Sequence, residues 1–120
     1  MKTVLIIEDN EQNAYLARFI LEAHGVQVLV ATDGFAGIRV AADVLPALIL
    51  LDIQLPGLDG YEVARRLRAQ AGLSQIPIVA VTSYAMVGDR ERVLAAGCSG
   101  YIEKPINPES FLNEVLAFMH

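Results

Sequence analysis

The sequence predicts a doubly wound α/β domain with a parallel sheet, and three observations carry that prediction. Short apolar runs alternate along the chain with amphipathic helical stretches. The runs at 3–7, 47–51 and 78–81 are rich in Val, Ile and Leu without polar alternation, the pattern of strands buried on both faces. The connections are short, as in successive βα units.

Five strands are expected, at 3–7, 27–31, 47–51, 78–81 and 100–102. Each is followed by a helix with a recognisable end. Asn10 can cap a first helix that ends near His24, with Gly25 in the position that favours a left-handed backbone. Asp33 can cap a second helix, which must stop before Pro46. Asp59-Gly60-Tyr61-Glu62 has the spacing of a capping box and opens a third. Gly97 closes a fourth, and Asn107-Pro108 offers a cap and a first-turn proline for a fifth that runs to the end of the chain.

The 120 residues make one domain, 1–120, and no linker or repeat divides them. A hydrophobic share of 54% excludes disorder, and a net charge of -5 argues against nucleic-acid binding through a basic face. The single Cys98 cannot form an internal disulfide. No apolar run reaches the roughly eighteen residues of a membrane span. Residues 1–8 lack the layout of a signal peptide, so a cytoplasmic location is expected.

In open α/β sheets, sites form beyond the carboxyl ends of the strands. Here those ends carry Glu8 and Asp9, Asp52, Thr82-Ser83, and Lys104-Pro105. Two carboxylates about 4 Å apart repel by roughly 4 kcal/mol at an effective dielectric near 20, so such a cluster takes up a proton or a cation. Hard oxygen ligands suit Mg²⁺. Carboxylates alone would need neither Lys104 nor Thr82. Their presence points to an incoming phosphoryl group, with Asp52 as its nucleophile.

These residues in this order resemble the response-regulator receiver domain of two-component signalling. The resemblance rests on Glu8-Asp9, on Asp52 within Leu51-Asp52-Ile53-Gln54-Leu55-Pro56-Gly57-Leu58-Asp59-Gly60, on Thr82 and on Lys104-Pro105. It covers essentially the whole chain. Asp9-Asn10-Glu11-Gln12-Asn13 and the stretch at 85–92 are similar to DivK-like single-domain regulators and to receivers of hybrid histidine kinases.

The resemblance implies a flavodoxin-like sheet in the order 2-1-3-4-5. It implies Asp52 as phosphoacceptor. Mg²⁺ would be held by Glu8, Asp9, Asp52 and the main-chain carbonyl of Gln54, with no organic cofactor. Thr82 and Lys104 would contact the phosphoryl oxygens, the bond before Pro105 would be cis, and Tyr101 would act as a switch. The implied input is a histidine kinase or histidine phosphotransfer protein. The implied output is contact with a downstream protein, by a monomer or weak dimer, without nucleic acid or membrane. Ser83 departs from the Ala or Gly usual after the threonine, which bears on access to the acceptor.

On the first helix Leu16, Ala17, Ile20 and Leu21 make an inward stripe and leave Ala14, Tyr15 and Phe19 beside or outside it. With Tyr84 and Met86 these are candidate partner contacts, weighed against ordinary surface apolarity. Cys98 reads as a small buried residue, His24 and His120 as helix-end residues, and 89–92 as a solvated helix face. Three other readings stand beside the receiver. A receiver segment of a hybrid kinase or multidomain regulator keeps the same fold. A Mg²⁺-dependent aspartyl-phosphate phosphatase would need a second acid where Gln54 stands. A flavodoxin-like cofactor module lacks a helix-start anion loop.

Overall fold

The computed structural model describes residues 2–83 and 88–119. Its elements run in strict alternation: β1 Thr3–Ile7, α1 Glu11–Ala23, β2 Gln27–Ala31, α2 Gly34–Val44, β3 Leu48–Asp52, α3 Gly60–Ala69, β4 Ile78–Thr82, α4 Asp89–Ala95, β5 Gly100–Glu103 and α5 Phe111–Phe118. The strands form one parallel five-stranded sheet in the order β2-β1-β3-β4-β5. Sequence order reverses between β1 and β3, so a crevice lies at their carboxyl ends.

The apolar runs divide their side chains between two cores. Leu5, Ile7, Ile49, Leu51, Ile78 and Ala80 face one way, against Ala41 of α2, Val63 and Leu67 of α3 and Val93 of α4. Val4, Ile6, Leu48, Leu50, Val79 and Val81 face the other way, against Ala17 and Leu21 of α1 and Phe111 and Val115 of α5. Both faces of β3 and β4 are buried throughout, which is why these strands show no polar alternation.

Helix starts follow the expected caps. Asn10, Asp33 and Asp59 accept hydrogen bonds from the main-chain N–H groups of Asn13, Ala36 and Glu62 at 3.0, 2.8 and 3.0 Å. Glu62 pairs with Arg65 and Arg66. β3 and β4 each run one residue further than expected, to Asp52 and Thr82, so the polar side chains are part of the strands. α5 begins later than expected. Asn107 Oδ1 accepts from Glu109 N, a local turn occupies 108–110, and the helix starts after Ser110.

At the far end of the sheet, Arg68 of α3 gathers the chain. Nε donates to Gly97 O at 2.7 Å, and one terminal nitrogen donates to Leu73 O at 3.0 Å and Ile76 O at 2.6 Å. These carbonyls precede β4 and β5, so one guanidinium fixes where both strands begin.

Candidate functional site

The sheet delivers four polar side chains to one edge. β1 ends at Ile7 and hands over to Glu8, whose N–H donates to Ala31 O at 3.0 Å, continuing the ladder to β2. Asp52 and Thr82 are the last residues of β3 and β4. Lys104 follows β5, and its N–H donates to Thr82 O at 2.8 Å. Backbone pairing therefore places each side chain. Gly60 holds the loop after β3 close in: a Cβ there would lie 2.5 Å from Ile53 Cα and 2.7 Å from Asp52 O. Within that loop Gly57 takes a φ of 72°, a region that glycine enters without steric cost.

Carboxylate oxygens of Glu8, Asp9 and Asp52 lie within 4.8 Å of one another. Glu8 and Asp52 are 5% and 3% exposed, whereas Asp9 is open to solvent. Lys104 Nζ sits 3.0 Å from Glu8 Oε1 and 3.2 Å from Asp52 Oδ1. The same Asp52 oxygen accepts from Gln54 N at 2.9 Å, and Glu8 Oε2 accepts from Asn10 N at 3.3 Å.

Burial, followed by the hydrogen bond and charge of Asp52, raises the Glu8 carboxyl from 4.5 to about 7, although Lys104 pulls it down. Burial alone would lower the Lys104 ammonium, but its bond to Glu8 and the charges of Asp52 and Glu8 outweigh that and raise it. One ammonium thus offsets only part of three clustered acids. Three hard oxygen donors beside an open mouth fit Mg²⁺, which keeps several waters and takes few protein ligands.

Thr82 is 4% exposed. Gln54 Nε2 donates to its Oγ1 at 2.9 Å, and Ser83 N donates to Gln54 Oε1 at 3.4 Å. Nothing in the local sequence marks this side-chain bridge, because its partners lie 28 and 29 residues away. The Lys104–Pro105 peptide is cis. Tyr101 lies half-buried in β5 against the core.

Residues 4–116 match the family model of the response regulator receiver domain. The chain belongs to that family. This receiver is 41% identical over 118 residues to the polar-differentiation response regulator DivK of Brucella anthropi, covering 98% of this chain and 96% of the relative. The DivK of Brucella ovis gives the same identity and coverage. Among solved structures, the chemotaxis protein CheY4 of Vibrio cholerae superposes with a TM-score of 0.94 at 25% identity, over 98% of each chain. The receiver domain of sensor histidine kinase PA1611 from Pseudomonas aeruginosa gives 0.90 at 34% identity, over 98% of this chain and 97% of that one. That structure holds a magnesium ion in its active site cleft. The chain is therefore a two-component signalling receiver with the strand order of the CheY-like fold.

The partner-surface residues separate. Tyr15 and Phe19 are 67% and 60% exposed, with ring centroids 6.2 Å apart. Ala14 is not outside the stripe: it is 7% exposed and packs into the core with Ala17 and Leu21. Its small side chain lets α1 lie close to the sheet, so the inner face is rotated toward Ala14. Tyr84 and Met86 lie outside the described residues. A groove of about 590 Å³ runs from Glu8 and Asp9 past Tyr15 and Arg18 to Val30. Among the described residues no helix is long and apolar enough to cross a membrane.

Proposed function

We propose that Asp52 is the phosphoacceptor of a phosphorylation-controlled switch that takes its phosphoryl group from a phosphohistidine. The observation that carries this reading is Asp52 itself: 3% exposed, 3.2 Å from the Lys104 ammonium, and crowded by two further carboxylates. In the transfer, an Asp52 carboxylate oxygen forms a bond to phosphorus as the phosphorus–nitrogen bond breaks. The electron pair of that bond returns to the imidazole. Glu8, Asp9, Asp52 and the Gln54 carbonyl would hold Mg²⁺, which supplies positive charge against the phosphoryl oxygens. Lys104 exchanges its present partners for one phosphoryl oxygen, and the Thr82 hydroxyl donates to another. Hydrolysis of the acyl phosphate by water resets the switch.

Occupation of the site draws Thr82 toward the phosphoryl group and shifts the population at Tyr101, which alters the face offered to a downstream protein. Tyr15 lines the groove that leads to the acids, and the exposed Phe19 ring lies beside Tyr15, a fitting seat for the helix that bears the phosphohistidine. The domain, residues 1–120, acts in the cytoplasm through protein contacts and not as an enzyme on other substrates. This holds whether it works alone or as a segment of a hybrid kinase or multidomain regulator. Incubation with acetyl phosphate, with and without Mg²⁺, followed by intact mass, tests the acceptor. One added phosphoryl group is expected, only with Mg²⁺, and lost in Asp52→Asn. Undiminished incorporation in that variant would assign the acceptor elsewhere.

A further inference from the structure

The third and fourth helices are joined by a contact that the phosphoacceptor reading does not use. The Arg92 guanidinium of α4 lies 4.3 Å from the centroid of the Tyr61 ring of α3, close enough for a cation–π attraction. The two ends of this contact are held very differently.

Tyr61 stands on a fixed base. Asp59 caps α3 by accepting from Glu62 N at 3.0 Å, and Gly60 N donates to Ile53 O at 3.2 Å. A Cβ on Gly60 would lie 2.7 Å from Asp52 O, so α3 starts hard against the backbone of Asp52. The Tyr61 ring is half-buried and packs on the core. By contrast α4 is held loosely. It has seven residues, starts at Gly88 with a φ of 97° and no side-chain cap, and buries Val93 alone. α3 buries Val63, Ala64 and Leu67. A helix this short keeps its place through tertiary contacts, and the Arg92 stack is one that reaches α3. Tyr61 and Arg92 also line a cleft of about 250 Å³ together with Thr82 and Asp89, so the contact borders the site.

We infer that the Tyr61–Arg92 stack is a latch that holds α4 against α3 in the unphosphorylated chain, and that the guanidinium must leave the ring before α4 can shift. The latch ties α4 to the loop after β3 by a route through α3, separate from Thr82 and Tyr101. Its regulatory role rests on the phosphoacceptor reading, whereas the contact itself does not.

Hydrogen exchange of the full unphosphorylated chain, read by mass spectrometry, tests the latch. Arg92→Met removes the charge and keeps the length of the side chain. Tyr61→Leu removes the ring face, and Tyr61→Phe keeps it. Arg92→Met should speed exchange at 89–96 about two- to fivefold, the factor that an exposed cation–π contact supplies. In a Tyr61→Leu background the same change should add less than about 1.5-fold. Tyr61→Phe should stay within about 1.5-fold of the native chain, since the ring face remains. Unchanged exchange in α5 separates local release from general unfolding. Beryllofluoride with Mg²⁺, a stand-in for the phosphoryl group, tests the regulatory role. Its affinity should rise about two- to fivefold in Arg92→Met, because a tie made only in the resting state opposes the occupied one.

Equal effects of Arg92→Met in both backgrounds, or none in either, overturn the latch. Exchange in Tyr61→Phe as fast as in Tyr61→Leu does the same. Faster exchange in Arg92→Met with unchanged beryllofluoride affinity overturns its regulatory role and leaves Asp52 as acceptor. A native chain that binds no beryllofluoride overturns the acceptor reading and the regulatory role together, whatever the exchange shows.

Discussion

Replacing Glu8 by Gln isolates the electrostatic load of the acidic edge. Glu8 is 5% exposed, and burial first, then Asp52, raises its carboxyl from 4.5 to about 7. A carboxyl that ionises less readily in the fold than in the unfolded chain weakens folding once it is ionised. The penalty is absent below the unfolded value of 4.5, grows as pH rises, and is complete above about 7. At roughly 1.4 kcal/mol per unit the full displacement amounts to about 3 kcal/mol. Solvent reaches the cluster at Asp9, and screening reduces that to about 1–2 kcal/mol. Glu8→Gln keeps the shape and removes the charge. Without divalent ions at about pH 8, the variant should be more stable than the native chain by about 1–2 kcal/mol. At about pH 4 the two should agree within about 0.5 kcal/mol. Saturating Mg²⁺ should close or reverse the gap, because ligand binding stabilises whichever form binds it more tightly. Urea unfolding followed by circular dichroism, at both pH values with chelator and with Mg²⁺, measures each difference. A variant destabilised equally at both pH values would refute the reasoning. Glu8 would then be ionised throughout, with its 3.0 Å contact to Lys104 outweighing burial.

Three further outcomes are expected. Gly60→Ala sets a methyl group against Ile53 Cα and Asp52 O, so it should cost about 1–3 kcal/mol in thermal unfolding and slow phosphoryl incorporation at least about tenfold. Arg68→Met removes the donors to Gly97, Leu73 and Ile76 carbonyls and should cost about 2–4 kcal/mol. Calorimetric titration should show its Mg²⁺ affinity unchanged. Tyr15→Ala with Phe19→Ala should slow transfer from a phosphohistidine donor about tenfold or more while leaving reaction with acetyl phosphate intact. Equal loss with both donors would remove the docking role.

The parts legible in the sequence were those fixed by local chemistry. Asp33 and Asp59 announce helix starts because a short carboxylate can bond an N–H three residues on. Val4 to Ile7 and Leu48 to Leu51 announce two-sided burial because no polar residue interrupts them. The acidic edge followed from those strand ends, since a parallel sheet brings every carboxyl end to the same side. What stayed hidden depended on distant partners or on small side chains. Ala14 carries too little apolar surface to mark a helix face, so the pattern leaves it outside the stripe on α1, although it is buried with Ala17 and Leu21. Asn107 has the chemistry of a cap, yet it spends it on Glu109 and the helix starts later. Arg68 reads as one of several basic residues on α3, and only the folded chain shows the carbonyls converging on it. The Gln54 amide is invisible for the same reason.

The position of Arg68 has a practical consequence. Its carbonyl partners lie at the opposite pole of the sheet from Asp52, and beside them Ala71, Gly72, Ser74 and Gln75 stand out in water. A dye or tether attached at that pole would be anchored to a braced scaffold yet remote from the reacting atoms. Such a reporter would track tumbling or assembly of the molecule without taking part in its chemistry.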